Sequence, residues 1–325
     1  MVSPSAQNPR TLPSLIPGLL VSSVAVVALI VVVDPARAFR VLLTARPMEL
    51  ALSLVVFSVA LLKLCVPVPA WRKLCSKVMI GIGNIWIFFN NCTMRFINKI
   101  HWDVDGTDGL KMNRWYLVVA NHQSWTDILV LQKILYRKAP FYKFFLKKEL
   151  FWVPFLGLAW WALDYPFLER SSSVQKDIET TMKACEKFKT FPVSIMNFVE
   201  GTRFTAEKHR RQRSPYSHLL KPKAGGIAFV LAAMGEQLDS ILDVTIAYPE
   251  GAEGFWAFLC GRVTEIKVRV ESLPIDEELS GDYFKDREFR KRFMSWLNAL
   301  WAEKDKRLAA LLNEERSAAL RRGKA

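Results

Sequence analysis

Apolar and polar positions fall into blocks along the chain, and the blocks predict where strands and helices lie. Four short apolar runs have the length of buried strands: Tyr116–Ala120, Val193–Val199, Val244–Ala247 and Ile266–Val270. Two stretches between them have helical patterns: Val174–Phe188 and Gly226–Met234. Strands that alternate with helices predict an α/β fold with a mixed sheet flanked by helices.

The N-terminal part is more apolar than the rest. Thr11–Val33 carries no charge, and a second apolar block, Leu50–Leu62, is followed by several lysines and arginines. We therefore expect residues 1–70 to form a membrane-embedded helical hairpin or anchor with cytoplasmic basic flanks. A cleaved signal peptide is the alternative, because Ala36–Ala38 resembles a cleavage site.

Two further segments are predicted to be helical and amphipathic. Residues 71–100 include Val78–Ile100, which mixes glycine, asparagine and large aromatic residues and suits a helix in the membrane interface. A helix in the protein core is equally compatible with that pattern. From residue 284 to 325, apolar residues recur at steps of three and four among many charges, which predicts a tail helix packed on the domain or lying on lipid.

Composition and charge indicate which classes of molecule the protein could bind. The 325-residue chain has a formal net charge of +14 although 51% of its residues are hydrophobic. Such a chain suits a membrane surface, but basic charge alone also fits phosphorylated substrates or nucleic acid. The five cysteines are scattered, with no C-x-x-C pair, which predicts reduced thiols and no structural metal.

A histidine and an aspartate stand five residues apart after the first predicted strand. Inside one helix, His122 and Asp127 would lie on different faces. The segment Ser124–Asp127 has the form of a capping box, however, which predicts a helix with Ser124 as N-cap and Asp127 as its third residue. His122 would then lie in the preceding turn, within reach of the carboxylate. Such a pair supports general base catalysis.

Basic residues that follow other apolar runs suggest an anion site. Arg170 ends Tyr165–Arg170, and Arg203 lies in the glycine turn of Phe198–Thr205. Two such arginines could clamp a phosphate. The basic glycine turn of Lys221–Phe229 could add backbone amides, but it lacks the spacing of a nucleotide-binding P-loop.

In order along the chain, the blocks "NHQSWTD", "FLER", "EGTR" and "VTIAYP" resemble the glycerophospholipid acyltransferase family, specifically its lysophosphatidic acid acyltransferases. The segment "KKEL" with Pro154 and Gly157 also looks like that family, and "NHQSW" looks like a bacterial subgroup. The resemblance covers roughly residues 101 to 270. It implies an acyltransferase domain over residues 101–283.

The resemblance also implies roles for particular residues. His122 would be the base that deprotonates the acceptor hydroxyl, and Asp127 would orient it. Substrate-binding residues would be Arg170, Glu200, Gly201, Thr202, Arg203 and Pro249, with the two arginines on the glycerol phosphate. No cofactor or metal is expected. The partners would be an acyl-CoA or acyl carrier protein donor, a lysophosphatidic acid or related acceptor, and the membrane.

Two departures from the family pattern bear on the acceptor. Glu169 precedes Arg170 and could pair with it, and a basic insertion, Ala206–Leu220, follows the third block. Alternatives are therefore an acyltransferase for another lysophospholipid or a lipid A precursor, and more remotely a basic non-enzymatic membrane or nucleic-acid-binding protein. The expected location is the bacterial inner membrane, with the catalytic domain on its cytoplasmic face.

Overall fold

The computed structural model describes residues 51–52, 54–97, 100–152, 156–168, 182, 185–252, 258, 261–279 and 281–322. The longer helices are α1 (54–65), α2 (Pro69–Ile97), α3 (Asp127–Leu135), α4 (Leu156–Ala162), α5 (Ala206–Gln212), α6 (Gly225–Met234) and α7 (Arg287–Arg322). The strands are β1 (His101–Asp105), β2 (Tyr116–Ala120), β3 (Tyr142–Phe144), β4 (Leu146–Lys147), β5 (Phe167–Leu168), β6 (Ser194–Phe198), β7 (Ser240–Ala247) and β8 (Glu265–Leu273). Short 3₁₀ helices span Lys148–Trp152 and Glu277–Leu279.

Six strands form one mixed sheet in the order β1-β8-β7-β2-β6-β3. The β7–β8 pair is antiparallel and the other pairs are parallel, while β4 and β5 form a separate two-stranded sheet. Ala120, the last residue of β2, stands beside Phe198 of β6 and Val244 of β7. The carboxyl ends of three neighbouring strands therefore meet at one edge. The predicted α/β fold with a mixed sheet is confirmed.

The four predicted strands are present, with two extended bounds. The strand predicted at Val244–Ala247 begins at Ser240, and the one predicted at Ile266–Val270 runs from Glu265 to Leu273. The first extension was missed because Asp243 interrupts the apolar pattern. Of the helix predicted at Val174–Phe188, only 182 and 185–188 lie within the described residues, and these are helical.

The sheet separates two hydrophobic cores because alternate residues of β2 point to opposite faces. Leu117 and Val119 pack into one core and Tyr116, Val118 and Ala120 into the other. The first core is covered by α6 and α7, and the second by α3 and part of α2. Every residue of β2 is buried, as expected for a central strand covered on both sides.

The tail helix α7 packs on the domain, so the first of its two predicted placements holds. It begins at Arg287 rather than at residue 284. Phe293, Leu297 and Trp301 are fully buried against the sheet, whereas Trp296 and Leu300 of the predicted stripe are only partly buried. Lys304, on the same buried face, forms an ion pair with Asp243 of β7 at 2.6 Å.

The helix α2, predicted over residues 71–100, packs one face into the core, as one of the two predictions for it requires, while its placement in a membrane interface stays a prediction. Ile87 and Met94 pack into the domain core, whereas Phe88 and Phe89 are exposed. The predicted N-terminal hairpin falls mostly on residues 1–50, which lie outside the described residues. Across the part of the chain that the structure describes, we find no helix both long and apolar enough to cross a membrane.

Candidate active site

The turn that carries His122 is fixed to the sheet by its neighbours. The buried side chain of Asn121 donates to the carbonyl of Ile246 at 2.9 Å and accepts from its N–H at 2.8 Å. The carbonyl of His122 accepts a hydrogen bond from the N–H of Phe204 at 2.7 Å. Its ring stacks on Phe198, with ring centres 4.1 Å apart and planes at 16°. Backbone and ring are thus both held.

His122 and Asp127 are in direct contact, as the sequence predicts. His122 Nδ1 lies 2.8 Å from Asp127 Oδ2, and the same oxygen accepts from the N–H groups of Gln123 (2.6 Å) and Ser124 (2.9 Å). The carboxylate is fully buried, and 13% of the histidine side chain is exposed. Because Asp127 Oδ2 binds Nδ1, Nε2 is the nitrogen left for a substrate.

The predicted position of the helix start was wrong by two residues. The helix begins at Asp127 with Thr126 as its N-cap, not at Ser124. One half of the predicted capping box forms nevertheless, since the Asp127 carboxylate accepts from the N–H of Ser124. Trp125 and Thr126 form a turn between Ser124 and Asp127. Because of this turn, the Asp127 carboxylate contacts three hydrogen-bonding groups of the preceding loop.

The sequence did not reveal Tyr248, which completes the surroundings of the carboxylate. Its hydroxyl donates to Asp127 Oδ1 at 2.6 Å and lies 2.8 Å from Thr126 Oγ1. Burial, followed by the nearby Asp127, raises the pKa of Tyr248 well above its usual range, so it stays a donor. Its position at the end of β7, next to β2, is the signal that could have identified it.

Glu200 is buried directly beneath the histidine turn. Its Oε1 accepts from the N–H of His122 at 2.9 Å and its Oε2 from the N–H of Leu220 at 3.0 Å. Burial raises the pKa of Glu200 to about 7, although both N–H donors act in the opposite direction. In this structure the carboxyl group, predicted to shape the phosphate site, binds the backbone of the base.

The EGTR segment brings a cation next to the His122 turn. Gly201 has φ of +66°, a conformation that favours glycine. The guanidinium carbon of Arg203 lies 4.5 Å from the ring centre of Trp125, and Lys208 donates to Thr202 Oγ1 at 2.8 Å. Burial lowers the pKa of Arg203, while Asp127 opposes that shift. The two sequence blocks thus meet at one edge of the sheet.

The structure describes only some of the remaining predicted site residues. Pro249 is half-buried and is the second residue after β7, next to Tyr248. Arg170 and Glu169 lie outside the described residues, so neither the predicted clamp nor the Glu169–Arg170 pair is visible. The predicted basic loop is partly a helix, α5, which Thr205 caps by accepting from the N–H of Lys208.

Comparisons with known proteins find similarity to acyltransferases. The model of the family described as "Acyltransferase" matches residues 101–249. Lysocardiolipin acyltransferase 1 of Gallus gallus is 25% identical over 256 residues, covering 74% of this chain and 64% of that protein. The gamma 1-acyl-sn-glycerol-3-phosphate acyltransferase of Homo sapiens is 26% identical over 171 residues, covering 49% of this chain and 43% of that protein. The chain thus spans between 43% and 64% of the length of these relatives.

Among solved structures, the 1-acyl-sn-glycerophosphate acyltransferase PlsC from Thermotoga maritima matches with a TM-score of 0.46 and 18% identity, over 84% of this chain and 98% of that one. The family match spans both the His122–Asp127 pair and the EGTR segment. The acyltransferase-family model thus covers the described residues of the candidate site, and the chain resembles the 1-acyl-sn-glycerol-3-phosphate acyltransferases.

Proposed function

We propose that this protein moves an acyl group from an acyl thioester to the free hydroxyl of lysophosphatidic acid, giving phosphatidic acid. The observation that carries the proposal is the 2.8 Å contact between His122 Nδ1 and Asp127 Oδ2 in an acyltransferase-family domain. The relatives named for transfer to 1-acyl-sn-glycerol-3-phosphate support this choice of acceptor. The donor is acyl-CoA or an acyl carrier protein.

In this reaction His122 acts as a general base through Nε2. It takes the proton of the acceptor hydroxyl as the oxygen attacks the thioester carbonyl carbon. The tetrahedral intermediate collapses with cleavage of the carbon–sulfur bond, and the imidazolium returns the proton to the leaving thiolate. Asp127 holds the ring through Nδ1 and stabilises the imidazolium between these steps.

Arg203 is the described residue best suited to bind the acceptor phosphate. Its guanidinium carbon lies 4.5 Å from the ring centre of Trp125, three residues after His122, and Lys208 donates to the backbone carbonyl of Arg203 at 3.0 Å. An arginine fork can bind two phosphate oxygens at once. By the family resemblance, Arg170 is its partner, with Gly201, Thr202 and Pro249 completing the site.

An acceptor with its tail in the bilayer requires an enzyme at the membrane. The exposed apolar residues of α2 and the apolar N-terminal segment support that location. We infer an N-terminal membrane hairpin, with the catalytic domain on the cytoplasmic face of a bacterial inner membrane. Reporters fused before and after residues 11–62 should then lie on the same side.

A second candidate acceptor is a different lysophospholipid. The lysocardiolipin acyltransferase from Gallus gallus aligns over more of this chain than the lysophosphatidic acid acyltransferases do, 256 residues against 171. The basic helix α5, which follows directly after Arg203, supports a more highly charged headgroup. An acceptor panel distinguishes these candidates.

The test is acyl transfer by purified protein to lysophosphatidic acid, other lysophospholipids and an uncharged monoacylglycerol. His122→Ala should lose about 10² to 10⁴ in rate, whereas His101→Ala, an exposed histidine of β1, should not. Arg203→Lys should raise KM for phosphorylated acceptors by about 10-fold and leave KM for the donor unchanged. A folded His122→Ala protein with full rate would refute the mechanism.

A further inference from the structure

A cavity lies beside the amino-terminal ends of β3 and β6, whereas the candidate active site lies at the carboxyl ends of β2, β6 and β7. Its volume is about 730 Å³, within the range of ligand-binding pockets. It is lined by α1, α2, β3, the turn after α4, and residues 187–193 before β6. Val193 lines it, whereas Phe198, at the far end of β6, stacks on His122. Five residues of extended strand span about 16 Å, so the two sites are separate.

The cavity has an excess of positive charge. Five basic residues line it: Lys63, Arg72, Lys73, Lys143 and Lys187. Asp164 is the acidic side chain among the described lining residues. Asp164 already pairs with Lys63 at 2.6 Å and lies 4.0 Å from Lys187. Four positive charges therefore remain in excess, and an anion placed among them would be attracted by all of them.

Lys143 is a cation of this cavity that is largely removed from water. Its ammonium group lies 5.0 Å from the ring centre of Phe188. Burial, with smaller contributions from the neighbouring Lys63 and Lys187, lowers its pKa to about 8 against the opposing effect of Asp164. A bound phosphate would favour the charged form of Lys143. The cavity thus offers a cation that gains from an anionic ligand.

The remaining walls are mostly apolar, and exposed apolar side chains lie on the helices beside them. Phe141, Met79 and Trp161 contribute to the lining. On α1 and α2, which form one side of the cavity, Leu64 and Leu74 are 51% and 52% exposed. A cluster of cations set between exposed apolar helices matches the interface of a membrane, where headgroup phosphates lie above acyl chains.

We propose that this cavity binds the phosphate headgroup of an anionic membrane phospholipid and so seats the domain on anionic bilayers. The lysines contact the phosphate oxygens, and the exposed leucines of α1 and α2 enter the acyl region. This site is independent of the catalytic pair. It acts on membrane attachment and not on the chemical step.

The test uses the full chain and vesicles of phosphatidylcholine, with or without phosphatidylglycerol, at constant ionic strength. The cavity variant Lys73→Ala/Lys143→Met/Lys187→Ala should lose about 100-fold in affinity for the anionic vesicles, about 5-fold for each lysine. Affinity for phosphatidylcholine alone should be unchanged. A matched control, Lys285→Ala/Lys291→Ala/Lys306→Ala, removes the same charge from highly exposed positions on or just before α7 and should lose less than about 5-fold.

Chemical modification provides a second measurement that reports on the cavity itself. Acetylation of Lys143 near pH 8 should slow when phosphatidylglycerol vesicles are added, while acetylation of Lys291 should not change. The single variant Lys143→Met keeps the side-chain volume, and it should fold and still lose about 5-fold in affinity.

Three outcomes would overturn the proposal. Equal losses in the cavity and control variants would mean general surface electrostatics. Full protection of Lys143 by inorganic phosphate or coenzyme A, without any effect of vesicles, would assign the cavity to a soluble phosphate. Unchanged affinity of the folded Lys143→Met protein would remove the key contact. Because acyl transfer by the cavity variant in detergent should be normal, failure of this proposal is distinguishable from failure of the proposed activity.

Discussion

Replacement of Glu200 by glutamine should change how stability depends on pH. The folded protein keeps the proton on Glu200 up to about pH 7, whereas an unfolded chain releases it near 4.5. Between these values the folded state binds more protons, so the free energy of unfolding falls as pH rises. At 1.36 kcal/mol per pH unit the loss amounts to about 3 kcal/mol. Glu200→Gln has no such proton to lose.

The variant also has a cost that does not depend on pH. Glutamine has a single carbonyl oxygen, so the N–H of His122 or of Leu220 loses its acceptor, at about 1 to 3 kcal/mol. We therefore expect Glu200→Gln to be less stable than the wild type near pH 4.5. The difference should shrink or reverse near pH 8, because only the wild type then holds a buried charge.

The assay is urea unfolding followed by tryptophan fluorescence in one detergent at both pH values. The free-energy difference between variant and wild type should move by about 3 kcal/mol in favour of the variant as pH rises. Glu288→Gln, an exposed carboxylate paired with Lys291, should shift by less than about 1 kcal/mol at either pH. Parallel pH profiles for wild type and Glu200→Gln would refute the assignment of a neutral buried carboxyl group.

Other predictions follow from single contacts. Tyr248→Phe removes the hydroxyl donor from the buried carboxylate and should lower kcat by about 10-fold with KM unchanged, as measured by steady-state kinetics across pH. Gly201→Ala places a side chain at φ of +66° and should cost about 1 kcal/mol in urea unfolding, whereas normal stability would contradict the left-handed turn. Lys304→Met removes a cation that pairs with the buried carboxylate of Asp243 and should lower the free energy of unfolding by roughly 3 kcal/mol. The exposed Lys306→Met should lower it by less than about 1 kcal/mol.

The sequence was most informative where a pattern is local. All five residues of β2 are apolar, so the central strand was predicted at its true bounds, Tyr116–Ala120. The contact between His122 and Asp127 depends only on a turn and the start of the next helix, and it was also predicted correctly. By contrast, β1 and β3 were missed because one is half-exposed and the other has only three residues.

The rest depends on contacts between distant parts of the chain. A lysine between two acidic residues predicts a solvent-facing position, yet Lys304 is fully buried because Asp243 and the carbonyl of Val244 satisfy it. Tyr248 reaches Asp127 across 121 residues. Neither pairing leaves a trace in local spacing. Sequence reasoning therefore found the His122–Asp127 pair but not the distant Tyr248 that contacts it.

The parallel pairing of β2 with β6 also determines when the site can form during folding. The hydrogen bond from His122 to Glu200 joins residues 78 apart, and the strands that bring them together are also non-local partners. Closing a loop of that length costs entropy before any contact compensates for it, and such pairings form slowly. The histidine turn thus gains its support only once β6 has joined the sheet. During refolding, helix content should return before acyltransferase activity does.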